Sequence, residues 1–211
     1  MQTAMSYARD EAIRIVEWVL TSISLEESIC VELPFLDARR KADIAIMSPS
    51  RLSVIEIKGS RDNTQSLEQQ ITDYQAMFLD VTVATVEKHL QRVRAIVPRE
   101  VGILLLNPEN PRLVRKPTRR ARLAPYAAAR WLTTSDLRSL LGSKLVRELG
   151  STAAREYAIQ SIRPGELSTF ALHAVWQRNK ERYHAFVRER GTSAMDLDDL
   201  QMLALQQNIR R

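Results

Sequence analysis

The spacing of hydrophobic residues changes along the chain. Over residues 5–22 they recur every three to four positions, which predicts an amphipathic helix. Three short segments rich in β-branched residues follow, at residues 29–35, 42–47 and 52–57, separated by turn-forming stretches at 37–40 and 48–51. These segments predict a three-stranded antiparallel meander.

The next part of the chain alternates between the two periods. Helical spacing over residues 64–79 and 87–97 alternates with β-rich runs at 81–86 and 101–106. A hairpin-rich start followed by strand and helix units predicts an α/β fold, a mixed β-sheet flanked by helices, within residues 1–110. Helical spacing then resumes over residues 135–211 as an α-helical C-terminal extension, and Ser193 with Asp196 predicts the cap of its last helix.

Residues 111–134 differ from both parts and predict a basic linker or arm. No acidic residue occurs between Asn110 and Ser135, and the segment contains three prolines. We take six of its basic residues as candidate nucleic-acid contacts: Arg112, Arg115, Lys116, Arg119, Arg120 and Arg122. An exposed solubilising loop is the alternative.

The overall charge fits a nucleic-acid partner without requiring one. The net charge is +6, and 25 of the 31 basic residues are arginine. A guanidinium matches phosphate oxygens with a planar fork of donors. A GC-rich genome would also enrich arginine, so composition alone leaves both explanations open.

Several classes of protein are disfavoured. No run approaches the ~18 apolar residues of a membrane span, and the N-terminus lacks the pattern of a signal peptide, so we expect a cytoplasmic protein with no membrane partner. Cys30 is the lone cysteine and there are three histidines, too few soft ligands for a structural zinc site. We therefore expect any metal to be hard and bound by oxygen.

Charged residues interrupt two of the predicted strands. Residues two apart in a strand share a face, so Glu56 and Lys58 project together, opposite Ile57. If the strand of Asp43 pairs with this one, the two carboxylates converge beside Lys58. With a backbone carbonyl, expected to be that of Ile57, Asp43 and Glu56 would form a partial cage for Mg²⁺ (or Mn²⁺). Lys58 could then orient or deprotonate a water, or neutralise a phosphate.

These residues resemble a known motif. Asp43, Glu56 thirteen positions later and then Lys58 are similar to the D…(D/E)xK core of the PD-(D/E)XK nuclease superfamily. Gln70 and Tyr74 resemble the QxxxY element of its RecB-type branch. The resemblance covers residues 5–106, has Ala42 where the motif has proline, and implies a restriction endonuclease-like fold. It also implies catalytic roles for Asp43, Glu56, Lys58, Gln70 and Tyr74.

Many members of that superfamily add a glutamate from the first helix. Glu11, Glu17 and, on the first strand, Glu32 are candidates that the spacing does not separate. The resemblance implies a Mg²⁺- or Mn²⁺-dependent deoxyribonuclease that hydrolyses phosphodiester bonds. DNA is favoured over RNA only by family analogy, and a homodimer is one arrangement for cutting both strands. The alternatives are a nucleic-acid-binding module that does not cleave and an assembly module that keeps the nuclease fold.

Overall fold

The computed structural model describes residues 2–107 and 110–204. Six strands lie in this part of the chain: β1 (Ser28–Phe35), β2 (Arg40–Ser48), β3 (Arg51–Lys58), β4 (Asp80–Thr85), β5 (Gly102–Leu105) and β6 (Arg112–Arg115). The helices are α1 (Gln2–Leu20), α2 (Leu67–Met77), α3 (Glu87–Ile96), α4 (Pro125–Trp131), α5 (Thr134–Leu141), α6 (Ser143–Ser161), α7 (Pro164–Arg190) and α8 (Leu197–Leu203).

The strands form one mixed sheet in the order β1-β2-β3-β4-β5-β6. The first three make the predicted antiparallel meander, β3, β4 and β5 are parallel, and β6 closes the edge antiparallel to β5. Helices α2 and α3 connect the parallel strands, as crossover connections between parallel neighbours require. The prediction of an α/β fold with a mixed sheet flanked by helices is confirmed.

Each face of the sheet has its own hydrophobic core, and strand alternation decides which residue enters which. Along β3, Leu52 and Val54 enter the core that contains α2 and helices α4 to α7. Ile55 and Ile57 enter the core that contains α1 and α8. Glu56 and Lys58 therefore point towards α2, on the same side as Val54.

Helix α6 consists of two helical segments that meet at a kink at Gly150, whose φ is 75°. Two local features differ from the sequence-based expectation. Residues 112–115 form a strand instead of a loop, because the edge of β5 offers backbone partners to Leu113. The predicted cap at Ser193 is wrong, since Asp196 caps α8 by accepting hydrogen bonds from the backbone of Asp198 and Asp199.

No helix within residues 2–107 and 110–204 is both long and apolar enough to cross a membrane.

Candidate active site

The carboxylate of Glu56 is the centre of a hydrogen-bonded cluster at the end of β3. Lys58 Nζ donates to its Oε1 at 2.7 Å, and Gln70 Nε2 donates to the same oxygen at 2.8 Å. The Tyr74 hydroxyl donates to Oε2. Glu56 is 2% exposed and Lys58 is 7% exposed. These three donors replace the water that a buried carboxylate loses.

Helix α2 supplies two of these donors. Gln70 and Tyr74 are four residues apart and so lie on one face of the helix. The Ser66 hydroxyl, 3.2 Å from Gln70 Oε1, orients the amide so that its nitrogen faces Glu56. Burial and the charge of Glu56 raise the pKa of the Tyr74 hydroxyl, which keeps it protonated as a donor.

Asp43 lies beside Glu56 on the neighbouring strand. The β2–β3 pairing ends at Ile44 and Ile55, and beyond it Asp43 Oδ2 accepts a hydrogen bond from the Ile57 backbone N–H at 2.7 Å. Burial and the adjacent Glu56 raise the pKa of the Asp43 carboxyl well above its usual value. When both carboxyl groups are ionised, two negative charges and one ammonium share this corner.

The backbone of β1 changes direction next to Asp43. Val31 enters the α1 side of the sheet and Leu33 the α2 side, although residues two apart in a regular strand share a face. Between them Glu32 has a φ of 53°, a left-handed conformation that is unfavourable for any residue except glycine. This irregularity opens the sheet at the position of Asp43.

A cavity of about 340 Å³ occupies the opening. Asp43, Glu56, Lys58 and Gln70 line it together with Ile57, Glu32 and Asp62. The structure therefore brings together the residues that the sequence analysis selected. The Ile57 N–H is used by Asp43, and ligation by the Ile57 carbonyl stays a prediction.

The three candidate glutamates occupy different places. Glu11 reaches the turn directly after Lys58, where its Oε1 accepts from the Ser60 N–H at 3.0 Å. A Cβ at Gly59 would lie 1.7 Å from its Oε2, so this approach requires glycine. Glu32 lines the cavity and pairs with the exposed Lys41 at 2.9 Å. Glu17 instead accepts from the backbone of Met195, before α8.

Four residues that line the cavity are not among the candidates from the sequence: Ala12, Val31, Asp62 and Leu200. Asp62 accepts from the Gly59 N–H at 2.8 Å, a local turn that a glycine followed three residues later by aspartate could have indicated. Leu200 reaches the cavity from α8, far along the chain, and no local pattern signals that contact. Burial and nearby Asp62 raise the pKa of the Glu11 carboxyl.

The donor set fits a hard divalent cation. Mg²⁺ is commonly held by one or two carboxylates with water and substrate phosphate completing its shell, which Asp43 and Glu56 can provide. No cluster of three or more His, Cys, Asp or Glu side chains suited to a metal occurs in the described part of the chain.

Half of the six basic candidates are already engaged by the protein. Arg115 donates to the carbonyls of Pro98 and Val101. Arg119 pairs with the buried Asp80 at 2.9 Å, and Arg120 donates to two carbonyls at the end of α2. Arg112, Lys116 and Arg122 are exposed. Phosphate contact by these six residues stays a prediction.

Comparison with known proteins gives one family. A family model described as bacteriophage P4 protein cII matches residues 5–204. Protein cII of Enterobacteria phage P4 is 24% identical over 209 residues, which cover 91% of this chain and 75% of that protein. A solved structure of a protein of unknown function from Silicibacter pomeroyi aligns with a TM-score of 0.43 at 20% identity, over 71% of this chain and 88% of that one.

Proposed function

The chain belongs to the bacteriophage P4 protein cII family, and we propose that it is a metal-dependent nuclease that hydrolyses DNA phosphodiester bonds. The observation that carries the proposal is the pairing of Asp43 and Glu56 beside Lys58 in one cavity. Two adjacent carboxylates are costly away from water unless a cation neutralises them, and one ammonium leaves a charge uncompensated. The proposal includes membership of the PD-(D/E)XK superfamily.

Each residue of the site has a distinct role in the proposed reaction. Asp43 and Glu56 would hold Mg²⁺ or Mn²⁺ through their carboxylate oxygens. The chemistry that such an ion would supply when bound is polarisation of the scissile phosphate and a lower pKa of a water molecule. Lys58 places a positive charge next to the metal ligands, where it orients the nucleophile or neutralises a phosphate oxygen.

Gln70 and Tyr74 act on the site through Glu56. Both donate to its carboxylate, one to each oxygen, and so fix the plane of the Glu56 carboxylate that would hold the metal. Metal ligands held in this way bind more tightly than free ones, since a supporting hydrogen bond commonly contributes ~10–100-fold to affinity or activity. They are positioning residues.

The proposal extends to partners and location. DNA backbone contacts fall to exposed basic side chains such as Arg112, Lys116 and Arg122, which give affinity without sequence information. A homodimer would provide two centres for duplex cleavage. The chain has a single cysteine, Cys30, which cannot close a disulfide within the chain, and this accords with the proposed cytoplasmic location.

The test is incubation of the protein with circular single-stranded, nicked and supercoiled DNA in Mn²⁺. We expect cleavage that EDTA abolishes and that Glu56→Ala and Lys58→Ala lose, with circular dichroism showing a retained fold. Lys144→Ala, an exposed lysine on α6, is the matched control and should cut normally. Salt-sensitive DNA binding without any cutting would contradict the proposal and select the binding module.

A further inference from the structure

A groove of about 460 Å³ lies on the α1 side of the sheet. Its floor includes Ser53 and Asp80, near the start of β3 and β4, and Trp18 of α1 forms one wall. The other wall is formed by residues of β6 and the segment after it, namely Leu113, Lys116, Pro117 and Arg119. The groove shares no lining residue with the candidate active site, so it is a separate feature of the surface.

Solvent reaches the side chains along the rim of this groove. Lys116 is exposed, and the side chain of Arg119 is 49% exposed. Leu113 is 37% exposed, and Trp18 is only partly buried against the core on the α1 side. The polar residues of the floor are buried. A ligand would therefore contact the rim and not the floor.

The floor holds two arginines in place. Ser53 Oγ accepts a hydrogen bond from Arg51 Nε at 2.8 Å and donates to Asp80 Oδ2 at 2.8 Å. Arg119 Nε donates to the same Asp80 oxygen at 2.9 Å. Arg51 also donates to Glu27, and its side chain is 24% exposed. A guanidinium has five N–H donors, so both arginines are fixed with donors left for an external anion.

Positive charge exceeds negative charge at this groove. Asp80 and Glu27 offset the charges of Arg119 and Arg51, with which they form ion pairs. Lys116 forms no ion pair within residues 2–107 and 110–204. Guanidinium and ammonium groups around one groove match the oxygens of phosphate groups. The groove is therefore suited to an anionic ligand.

The wall at Trp18 adds a flat apolar surface beside these charges. Leu113 and Pro117 line the groove together with this indole. Proteins that bind single strands combine cationic grooves with aromatic side chains on which unpaired bases stack. The bases of a duplex stack on one another and present no free face to an indole. A carboxylate-rich peptide would match the charges but would leave the indole without a stacking partner, so these features favour a single strand.

We propose that this groove binds single-stranded DNA. One base stacks on Trp18, and the adjoining phosphates contact Lys116, Arg119 and the terminal nitrogens of Arg51. The volume lies in the usual range for small-ligand sites and accommodates one nucleotide. The inference rests on DNA being the partner, as in the proposed function, but not on cleavage. Because the groove lies near the start of β3 and Lys58 at its end, the strand is anchored away from the proposed cleavage centre.

The experiment is fluorescence anisotropy with labelled ligands in EDTA, which removes metal and so prevents cleavage. The ligands are a short oligothymidylate, an abasic oligonucleotide, a duplex of the same length and an oligoglutamate peptide. We expect the full-length protein to bind oligothymidylate ~5–100-fold more tightly than the abasic strand, the range that stacking on an aromatic side chain contributes. Oligothymidylate should also quench tryptophan fluorescence, and the abasic strand should not.

Three variants separate the contacts. Trp18→Leu should weaken oligothymidylate binding by the same ~5–100-fold and leave the affinities for the abasic strand, the duplex and the peptide unchanged. Trp176→Leu removes a partly exposed tryptophan of α7 outside the groove and should leave every affinity unchanged. Lys116→Gln should weaken both single strands about 5-fold at ~0.1 M salt, because it removes one phosphate contact whether or not a base is present.

Four results would overturn the proposal. They are no binding of oligothymidylate in EDTA, equal affinity for the abasic strand, oligothymidylate binding that Trp18→Leu does not change, and an equal effect of Trp18→Leu on the duplex or the peptide. The last result would assign the groove to a duplex or to an acidic protein segment. Thermal unfolding identifies any variant that has lost its fold. Should Trp18→Leu be one, the comparison of the two single strands on the wild type decides.

DNA cleavage in Mn²⁺ is measured separately on the wild type. A protein that cleaves DNA but does not distinguish oligothymidylate from the abasic strand would refute this inference alone. A protein that makes this distinction but does not cleave would refute the nuclease proposal alone.

Discussion

Asp43→Asn separates the proposed metal site from a purely structural ion pair. An asparagine has the shape of aspartate, its oxygen can still accept the Ile57 N–H, and its NH₂ group can donate to Glu56. It removes one of two neighbouring negative charges. If the role of the Asp43 carboxylate is to hold a cation, Asp43→Asn without metal should be more stable than the wild type without metal. The same substitution should abolish the proposed nuclease activity.

The size of the effect follows from the charges. Two unit charges 4 Å apart interact by about 4 kcal/mol at an effective dielectric of about 20. Asp43 is only partly buried and Lys58 offsets part of the repulsion, so we expect the free energy of unfolding in EDTA to rise by about 1–3 kcal/mol. For a chain of this length that is a Tm increase of roughly 2–12 °C.

The increase in stability of Asp43→Asn over the wild type should depend on pH in a defined direction. The pKa of the Asp43 carboxyl is raised in the folded state. Below the unfolded-state pKa of about 4 the carboxyl is protonated in both states, so it costs the wild-type protein no stability. As the pH rises from there to the folded-state pKa, the wild-type protein loses stability. The Tm difference between the variant and the wild type should therefore be near zero at about pH 4 and widen as the pH increases.

Metal should act in the opposite sense. Mg²⁺ at about 100 times its Kd stabilises a protein that binds it by about 2.7 kcal/mol. We expect this stabilisation in the wild type and none in Asp43→Asn, with nuclease activity reduced at least ~100-fold. Differential scanning fluorimetry across pH, with and without Mg²⁺, measures both the Tm of the metal-free proteins and the Tm increase that Mg²⁺ causes.

Asp80→Asn is the matched control. Asp80 is another aspartate of this sheet and is buried, but Ser53 and Arg119 donate to its Oδ2 at 2.8 and 2.9 Å. Losing that carboxylate leaves a charged donor poorly paired, so the variant should be destabilised by about 1–3 kcal/mol. The reasoning is refuted if Asp43→Asn is destabilised like Asp80→Asn in EDTA, or if Mg²⁺ raises its Tm as much as that of the wild type.

Three further predictions follow from the same geometry. Tyr74→Phe removes a hydrogen-bond donor to the buried Glu56. We expect DNA cleavage to be ~10–100-fold slower and the free energy of unfolding in urea to fall by about 1–3 kcal/mol. An unchanged cleavage rate would refute the positioning role. Gly59→Ala places a Cβ against the carboxylate of Glu11, which can move aside and lose its Ser60 hydrogen bond, so we expect a cost of no more than about 1 kcal/mol. Glu11→Ala should remove most of that cost in the double mutant. Lys116→Gln should lower the slope of log K for DNA against log salt by about one, and an unchanged slope would exclude a phosphate contact.

Strand alternation was enough to predict the core of the candidate site. Residues two apart in β3 share a face, so Glu56 and Lys58 had to project together. The short turn between β2 and β3 then had to bring Asp43 alongside. The i,i+4 spacing of Gln70 and Tyr74 likewise put both on one face of α2. These are local rules, and for Glu56, Lys58, Gln70 and Tyr74 they hold because β3 and α2 are regular where these residues lie.

The features that could not be predicted depend on contacts between distant segments. Strand β6 has only two apolar residues between arginines, and it becomes a strand because β5 has a free edge. The left-handed Glu32 is invisible in a sequence that has no glycine there. Arg130 of α4, Arg155 of α6 and Arg178 of α7 line one cavity, because tertiary packing sets the relative positions of these helices.

The C-terminal helices are part of the structure that supports the site. One continuous core contains Val54 of β3, Tyr74 of α2, Trp131 of α4 and Val175 of α7. Phe35 stacks on Tyr74, with ring centroids 5.3 Å apart, and also on Trp131. Tyr74 in turn holds Glu56, so the orientation of that carboxylate depends on aromatic packing that begins beyond residue 110. The family match over residues 5–204, across both regions, is what such shared packing would require.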